Sequence, residues 1–194
     1  MPKKTRASPE TRICEAALSL AARQGWRQVT PDAVARAARL PPARVKKLFA
    51  ERDDLLPAIL RHIDQQVARA CGKTGPRGAP HDRLFEVMMA RFDALQEHRR
   101  AILAIMDETL RNPRCARFLM PAIVQSMRRM LTLARLKPEG IRGPVVVSGL
   151  LAVHGLAFCS WRRDSSADMS KTMAVLDRNL RRAASCAEIL FSRA

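Results

Sequence analysis

The sequence predicts an all-helical protein. Its apolar residues recur at intervals of three and four, Tyr is absent, and only 6 Phe and 2 Trp occur. No Asn-Gly or Asp-Gly pair, the usual turns of β-hairpins, is present. The length of 194 residues suits one ordinary domain, or a small module joined to a larger one. These observations favour an all-α fold built from a small and a larger helical module.

Two short helices are predicted first. The first helix ends at Gly25, a residue typical of helix C-caps, and Trp26 follows as a packing anchor. Thr30 as N-cap and Pro31 at the first helical position begin the second helix. Apolar stripes predict the inward faces of both helices, formed by Ile13, Ala17, Leu20 and Ala21 in the first and by Val34, Ala35 and Ala38 in the second.

A third short helix is predicted after Pro41 and Pro42, because proline stops the second helix and presets φ for a new one. Its outer side presents Arg44 and Lys47, with Lys46 on the flank. Its inward side is expected to consist of Val45, Leu48 and Phe49. Two short helices joined by a tight turn, the second basic on its outer side, are typical of a helix-turn-helix, whose second helix enters the major groove of DNA.

The rest of the chain is divided by the segment Gly72–Pro80, which is rich in glycine and proline and predicts a module boundary. Before it, a linking helix is predicted over residues 53–71, with Leu55, Leu56, Ile59 and Ile63 inward. After it, five amphipathic helices are predicted at about 81–98, 100–111, 114–136, 144–163 and 167–192. The expected domains are a basic arm at 1–10, a helix-turn-helix domain at 11–52, the linking helix, and a larger helical domain at 81–194.

The composition is strongly basic. The chain carries 35 Lys and Arg against 18 Asp and Glu, a formal net charge of +17. Such a charge indicates attraction to nucleic acid or to an anionic membrane and does not separate the two. The five cysteines contain no C-x-x-C pair, so we interpret them as buried thiols of a reducing cytosol and expect a cytoplasmic protein.

One segment is long and apolar enough to require a membrane test. Residues 144–161 carry no charge and are flanked by Arg142 and Arg162. The length of this uncharged segment is at the lower limit for a membrane-spanning helix. Serine, glycine and histidine dilute the segment, and this composition favours a helix packed against other helices over a membrane span. We therefore expect no stable membrane insertion.

The stretch from Thr11 to Ile63 resembles the N-terminal domain of TetR-family transcriptional repressors. The resemblance is carried by "ICEAALSLAARQGW", "VTPDAVARAARL", the short third helix and "ERDDLL" at the start of the long helix. It implies a TetR-like fold, binding to double-stranded DNA, release of the DNA by a small ligand, and a homodimer formed through the last two helices. The implied DNA contacts are Thr30, Arg39, Pro42, Arg44, Lys46 and Lys47.

The resemblance has departures in the turn and the third helix. Arg39 stands where the family usually has glycine, Pro41 and Pro42 replace serine and lysine, and Lys46 replaces a phosphate-contacting tyrosine. Leu48 takes a position that usually carries a polar ring. Lysine and arginine still bind phosphate, and arginine can also read guanine.

The second half supports an alternative function. "PHDRLFEVMMARFDALQEHR" and "SKTMAVLDRNLRRA" resemble proteobacterial TetR-type regulators close to the coenzyme Q lipid-binding proteins. Those relatives keep the TetR fold without acting as repressors. The alternative is therefore a lipid- or isoprenoid-binding protein related to coenzyme Q biosynthesis, without DNA binding.

A ligand pocket is predicted among the helices between residues 81 and 163, because flexible methionine and aromatic side chains are concentrated there. The candidate lining residues are Met88, Met89, Phe92, Met106, Phe118, Met127, Met130, His154 and Phe158. Each of these is also compatible with an ordinary core position, and His154 with a satisfied core histidine. No H-E-x-x-H, no G-x-S-x-G and no metal-ligand spacing occurs, so neither catalysis nor a cofactor is predicted.

Overall fold

A computed structural model of the chain describes residues 8–136, 140 and 142–192, with side chains described as far as residue 185. These residues form helices and no strand, so the predicted all-helical fold is confirmed for the described chain. Residues 1–7 of the predicted basic arm lie outside the described residues. The α-helices are α1 Pro9–Gln24, α2 Pro31–Ala38, α3 Pro42–Leu48, α4 Leu55–Ala70, α5 Pro80–Glu97, α6 Arg99–Arg111, α7 Pro113–Leu133, α8 Arg142–Arg163 and α9 Ser170–Ser192.

The chain divides into two compact units. Unit 1 contains the residues up to 63 together with 95–122, and unit 2 contains 64–94 together with the residues from 123 onward. The division falls within α4, α5 and α7. Residues 95–122, which the sequence analysis assigns to the larger domain, thus lie in unit 1. The functional domain boundaries stay a prediction, because compactness does not test what each part does.

Unit 1 is built around the first three helices and α6. α1 packs against α2 and α6, and α2 packs against α3. Two predicted helix caps are confirmed: Gly25 has a φ of 80° at the end of α1, and the Thr30 hydroxyl oxygen accepts a hydrogen bond from the Ala33 N–H at 3.2 Å. The predicted inward residues of α1 and α2 are buried, and Trp26 is almost completely enclosed.

The prediction for Leu48 was wrong. Val45 and Phe49 are buried, as expected, but the Leu48 side chain is 54% exposed. α3 ends at Leu48, and Phe49 takes an extended conformation with φ −141° and ψ 94°. This conformation places the Phe49 ring in the core, so that Leu48 remains at the surface.

In unit 2, α8 packs along α9 with one face only. The buried stripe of α8 consists of Val147, Leu150, Val153, His154, Ala157 and Trp161. The opposite face is exposed and includes Val145 and Leu156. Among the described helices, α8 is long and apolar enough to cross a membrane, with a mean hydropathy of 1.6 over its apolar window. Of this window, 28% is buried inside the protein. The prediction that this segment packs against other helices is thus confirmed for one side of α8, and the other side is exposed.

The cysteines are less uniformly buried than predicted. Cys14 and Cys115 are buried, and burial, reinforced by Glu10 and by Asp53 respectively, raises their pKa values to about 12 and about 11. Cys159 is exposed because it lies on the outer face of α8, which contradicts the prediction of uniformly buried thiols. Cys71 is half-buried just after α4, and the side chain of Cys186 lies outside the described residues.

Candidate nucleic-acid interface

The turn between α2 and α3 is fixed by backbone hydrogen bonds. Arg39 lies in the left-handed region, with φ 53° and ψ 49°. Its N–H donates to the Arg36 carbonyl at 3.1 Å, and the Leu40 N–H donates to the Ala35 carbonyl at 3.0 Å. This pair of bonds is the Schellman arrangement that ends many helices. Pro42 then begins α3 at its first position, as predicted.

A side chain from α1 reinforces the same turn. The Arg12 Nη2 donates to the carbonyl oxygen of Ala38 at 2.5 Å and to that of Arg39 at 3.0 Å. These bonds satisfy carbonyl groups that the end of α2 leaves without helical partners. Sequence reasoning missed Arg12, because no local pattern signals a contact between residues 26 positions apart.

The outer side of α3 carries three exposed basic residues. Arg44, Lys46 and Lys47 are exposed, and Val45 between them is fully buried. Lys46 Nζ lies 2.9 Å from the Asp32 carboxylate of α2, and both side chains are about half exposed. Such a pair contributes little stability, so the lysine is available for another anion. Neither Arg44 nor Lys47 forms an ion pair with any residue that the structure describes.

The start of α4 is fastened within unit 1 by Arg52. Its Nε donates to Asp53 at 2.8 Å, its Nη1 donates to the Arg27 carbonyl at 3.1 Å, and its guanidinium lies 5.8 Å from the centre of the Trp26 ring. Asp53 is itself buried and accepts a hydrogen bond from the Cys115 thiol of α7 at 3.5 Å. This cluster joins the segment after α1 and the start of α7 to the start of α4 within unit 1.

Comparison with solved structures shows the same fold in bacterial transcriptional regulators. A TetR transcriptional regulator from Nitrosomonas europaea is similar with a TM-score of 0.73 and 21% identity, covering 92% of this chain and 99% of that one. A TetR-family regulator from Streptomyces coelicolor has a TM-score of 0.62 and 18% identity, covering 95% and 84%. No protein-family model and no curated protein matches the chain.

The chain has the TetR fold. A further similar structure is a fatty acid degradation regulator from Bacillus halodurans, with a TM-score of 0.59 and 13% identity, covering 91% of this chain and 96% of that one. Within the TetR fold of this chain, the six predicted DNA-contacting residues all lie on one segment of unit 1, from Thr30 to Lys47. Their contacts with DNA stay a prediction.

The predicted ligand-lining residues are divided between the two units. Met106 and Phe118 are half-buried in unit 1. The other seven lie in unit 2, where Met88, Phe92, Met127 and Met130 are completely buried, Met89 and Phe158 are half-buried, and His154 is buried. Among the described residues, no group of three or more His, Cys, Asp or Glu side chains is placed to hold a metal ion.

His154 occupies an aromatic environment in unit 2. Its ring centre lies 5.6 Å from that of Phe92 and 6.1 Å from that of Phe158. Burial, together with the charge of the buried Arg91, lowers the pKa of His154 to about 3. Arg91 is paired at 2.7 Å with the buried Asp64. At neutral pH His154 is therefore an uncharged part of the core.

Unit 2 also contains a cavity of about 330 Å³, which overlaps the region where the sequence predicts a ligand pocket but has a different lining. It lies among α5, the end of α7, α8 and α9, and its walls include Leu84, Leu131, Val153 and Leu180. None of the nine predicted ligand-lining residues borders it. The predicted set was chosen for methionine and aromatic side chains, whereas this space is bordered mainly by leucine and valine, with small residues such as Gly149.

Proposed function

We propose that the chain is a dimeric, DNA-binding transcriptional regulator of the TetR type, a repressor that a small apolar ligand releases from double-stranded DNA. The observation that carries the proposal is the exposed basic side of α3, formed by Arg44, Lys46 and Lys47 on a helix anchored by the buried Val45. α3 follows a turn that the Schellman bonds and Arg12 hold in place. A rigid, outward basic helix is what entry into the major groove requires.

The three basic residues have different roles in this proposal. Arg44 lies nearest the N-terminal end of α3, so it is placed to reach a base edge, where arginine reads guanine through two hydrogen bonds. Lys46 and Lys47 follow on the later half of the helix and bind phosphates. Lys46 exchanges its exposed pairing with Asp32 for a phosphate oxygen. The net charge of +17 adds general attraction to DNA.

A second copy of the chain is proposed to cover the exposed apolar side of α8 and α9. Val145, Leu156 and Met173 are 45%, 54% and 38% exposed on these helices. Two-fold pairing buries the same patch on both copies and presents two α3 helices to adjacent half-sites. Ligand binding releases the DNA if it favours a state with a different spacing of the two α3 helices.

The cavity in unit 2 favours a second candidate function, that of a TetR-fold lipid- or isoprenoid-binding protein without DNA binding. Both functions fit a cytoplasmic location, and neither requires insertion into a membrane. They differ in one measurable respect, since only the regulator uses the basic side of α3.

The deciding experiment measures binding of the purified protein to its own promoter region over a range of salt concentrations. Replacing Arg44, Lys46 and Lys47 together by Ala is expected to abolish specific binding and leave the fold intact, because all three side chains are exposed. Lys47→Ala alone should flatten the slope of log affinity against log salt by about 2 for the dimer, about one unit per phosphate contact.

A matched control removes three exposed basic residues from another part of the chain, Arg69, Lys73 and Arg77. This variant loses the same charge and should retain specific DNA binding, with a small general loss of affinity. A folded α3 variant that binds the promoter with unchanged affinity and salt slope would contradict the proposal. Stabilisation by lipids without any binding to the promoter would favour the second candidate.

A further inference from the structure

We propose that the cavity of unit 2 binds a single aliphatic chain that ends in an uncharged polar group. The inference names the chemical class of the ligand that, in the function proposed above, releases the DNA, and it rests on that proposed function. Binding of this ligand is measured without DNA. The volume of about 330 Å³ lies at the low end of the roughly 300–1,000 Å³ found for small-molecule sites. The space therefore suits one chain of medium length.

The walls of the cavity are aliphatic. The described residues of the lining are leucine, valine, alanine, glycine and proline, together with one imidazole, that of His81. Among the residues that the structure describes, no phenyl or indole ring borders the space, so a flat aromatic ligand finds no stacking partner there. A flexible hydrocarbon chain gains from such walls both by leaving water and by close dispersion contacts.

Small residues create the space between the helices. Gly149 of α8 borders the cavity, and a Cβ atom added there would meet no other atom within 4 Å. Ala183 and Ala184 border it from α9. A larger side chain at Gly149 has room to occupy part of the volume in place of a ligand.

The charges beside His81 decide the head group. Its Nδ1 lies 3.2 Å from the Asp82 carboxylate, and its Nε2 lies 3.3 Å from the Asp177 carboxylate. Asp177 is also paired with Arg181 at 3.1 Å. The surroundings of the His81 imidazole thus contain two negatively charged carboxylates and one positively charged guanidinium. A ligand carboxylate placed there would meet like charges and lose the strong hydration of an ion, whereas a hydroxyl or carbonyl group meets no such repulsion and has a smaller desolvation cost.

The test compares 1-decanol with decanoate, which share one chain length and differ in the charge of the head group. Thermal unfolding of the full-length protein is measured with each compound below its aggregation limit, and calorimetric titration measures binding directly. Decanol should raise the melting temperature in proportion to the logarithm of its concentration above Kd. Decanoate should bind at least tenfold more weakly. Equal binding of decanoate would overturn the assigned head group, and no binding of decanol would overturn the site.

Variants then locate the bound chain. Gly149→Leu and Val146→Phe both add volume at the cavity wall and should each weaken decanol binding at least tenfold, whereas Gly149→Ala controls for the loss of glycine from a helix and should retain binding. Undiminished binding by both filled variants would overturn the site. If light scattering shows that filling changes the oligomeric state and leaves decanol binding intact, the cavity belongs to a contact between copies and the proposal fails. Loss of DNA binding alone leaves the inference standing, so the two failures are distinguishable.

Discussion

Arg39 combines a strained backbone with a stabilised turn. A left-handed conformation costs a residue with a Cβ atom about 1–2 kcal/mol relative to the right-handed one. The two backbone bonds of the Schellman arrangement and the two bonds from Arg12 offset this cost. The turn before α3 is therefore held by its neighbours and does not depend on a glycine.

Replacing Arg39 by Gly is expected to raise the free energy of unfolding by about 0.5 kcal/mol. Glycine removes the left-handed strain, and its greater freedom in the unfolded chain cancels about 0.5–1 kcal/mol of that gain. Arg39→Ala keeps the strain and should leave stability unchanged. Urea unfolding followed by circular dichroism compares the two variants, and a loss of stability in Arg39→Gly greater than that in Arg39→Ala would contradict this account.

His154 should make the stability of the protein depend on pH. Its pKa is lowered to about 3 in the folded chain, first by burial and then by Arg91, whereas an unfolded-chain histidine binds a proton near pH 6.5. Between these values the unfolded state holds more protons, so stability falls as the pH falls. At neutral pH this loss is absent.

The test compares the original chain with His154→Phe at pH 7, 6 and 5. Between pH 6 and pH 5 the original chain should lose about 1 kcal/mol more free energy of unfolding than the variant, close to the limit of 1.36 kcal/mol per pH unit for one proton. The comparison cancels the other titrating groups. Parallel pH dependence of the two proteins would show that His154 does not remain uncharged in the fold.

The start of α9 depends on one buried carboxylate. Asp164 Oδ2 accepts hydrogen bonds from the Thr172 N–H at 2.8 Å and the Thr172 hydroxyl at 2.7 Å. Its Oδ1 accepts from the Ser166 hydroxyl at 2.5 Å and the Ser166 N–H at 3.1 Å. The bonds from Ser166, followed by those from Thr172, lower the pKa of this carboxyl. Its charge also faces the positive end of the helix dipole, so Asp164 fixes where α9 begins.

Asp164→Asn is expected to lower the free energy of unfolding by about 2 kcal/mol, the usual range for losing hydrogen bonds to a buried charge. The exposed Asp168 offers a matched control, because it accepts a single bond from the Ser170 N–H at 3.1 Å. Asp168→Asn should cost about 0.5 kcal/mol or less. The contribution of Asp164 is present above the usual aspartate pKa of about 3.9 and declines as the pH falls below it. Equal losses in both variants at pH 7 would refute this role.

The parts of the molecule that sequence patterns predicted are those that depend on neighbours along the chain. Gly25, Thr30 and Pro42 mark helix ends because of their own backbone preferences. Leu48 was misplaced because its exposure depends on the ending of α3 and the extended conformation that follows. The pairing of Arg12 with the α2 carbonyls joins distant residues, which periodicity does not reveal.

The lining of the cavity in unit 2 escaped prediction for a different reason. The volume of this cavity arises where α8 and α9 contribute small residues among the leucine and valine side chains of the wall, and Gly149 or Ala183 has no distinguishing local pattern. The predicted methionines and phenylalanines instead fill space, as the complete burial of Met88, Phe92 and Met127 shows. The types of residue in the sequence therefore indicated which side chains fill the core more clearly than where a cavity remains.

The proposed dimer buries Leu156 in the contact between two copies, since it is 54% exposed on the outer face of α8. Leu156→Glu should remove apolar contact and bury two like charges across the two-fold axis, at a cost of at least about 2 kcal/mol per subunit. Light scattering at micromolar concentration should then give the mass of a single chain, about half the mass of the original dimer. Promoter affinity should also fall, because a monomer has one α3 helix and reads only one half-site. Leu110 is 69% exposed on α6 in unit 1, so Leu110→Glu makes the same chemical change in the other unit. That control should remain dimeric, and a Leu156→Glu variant that also remains dimeric would place the contact on another surface.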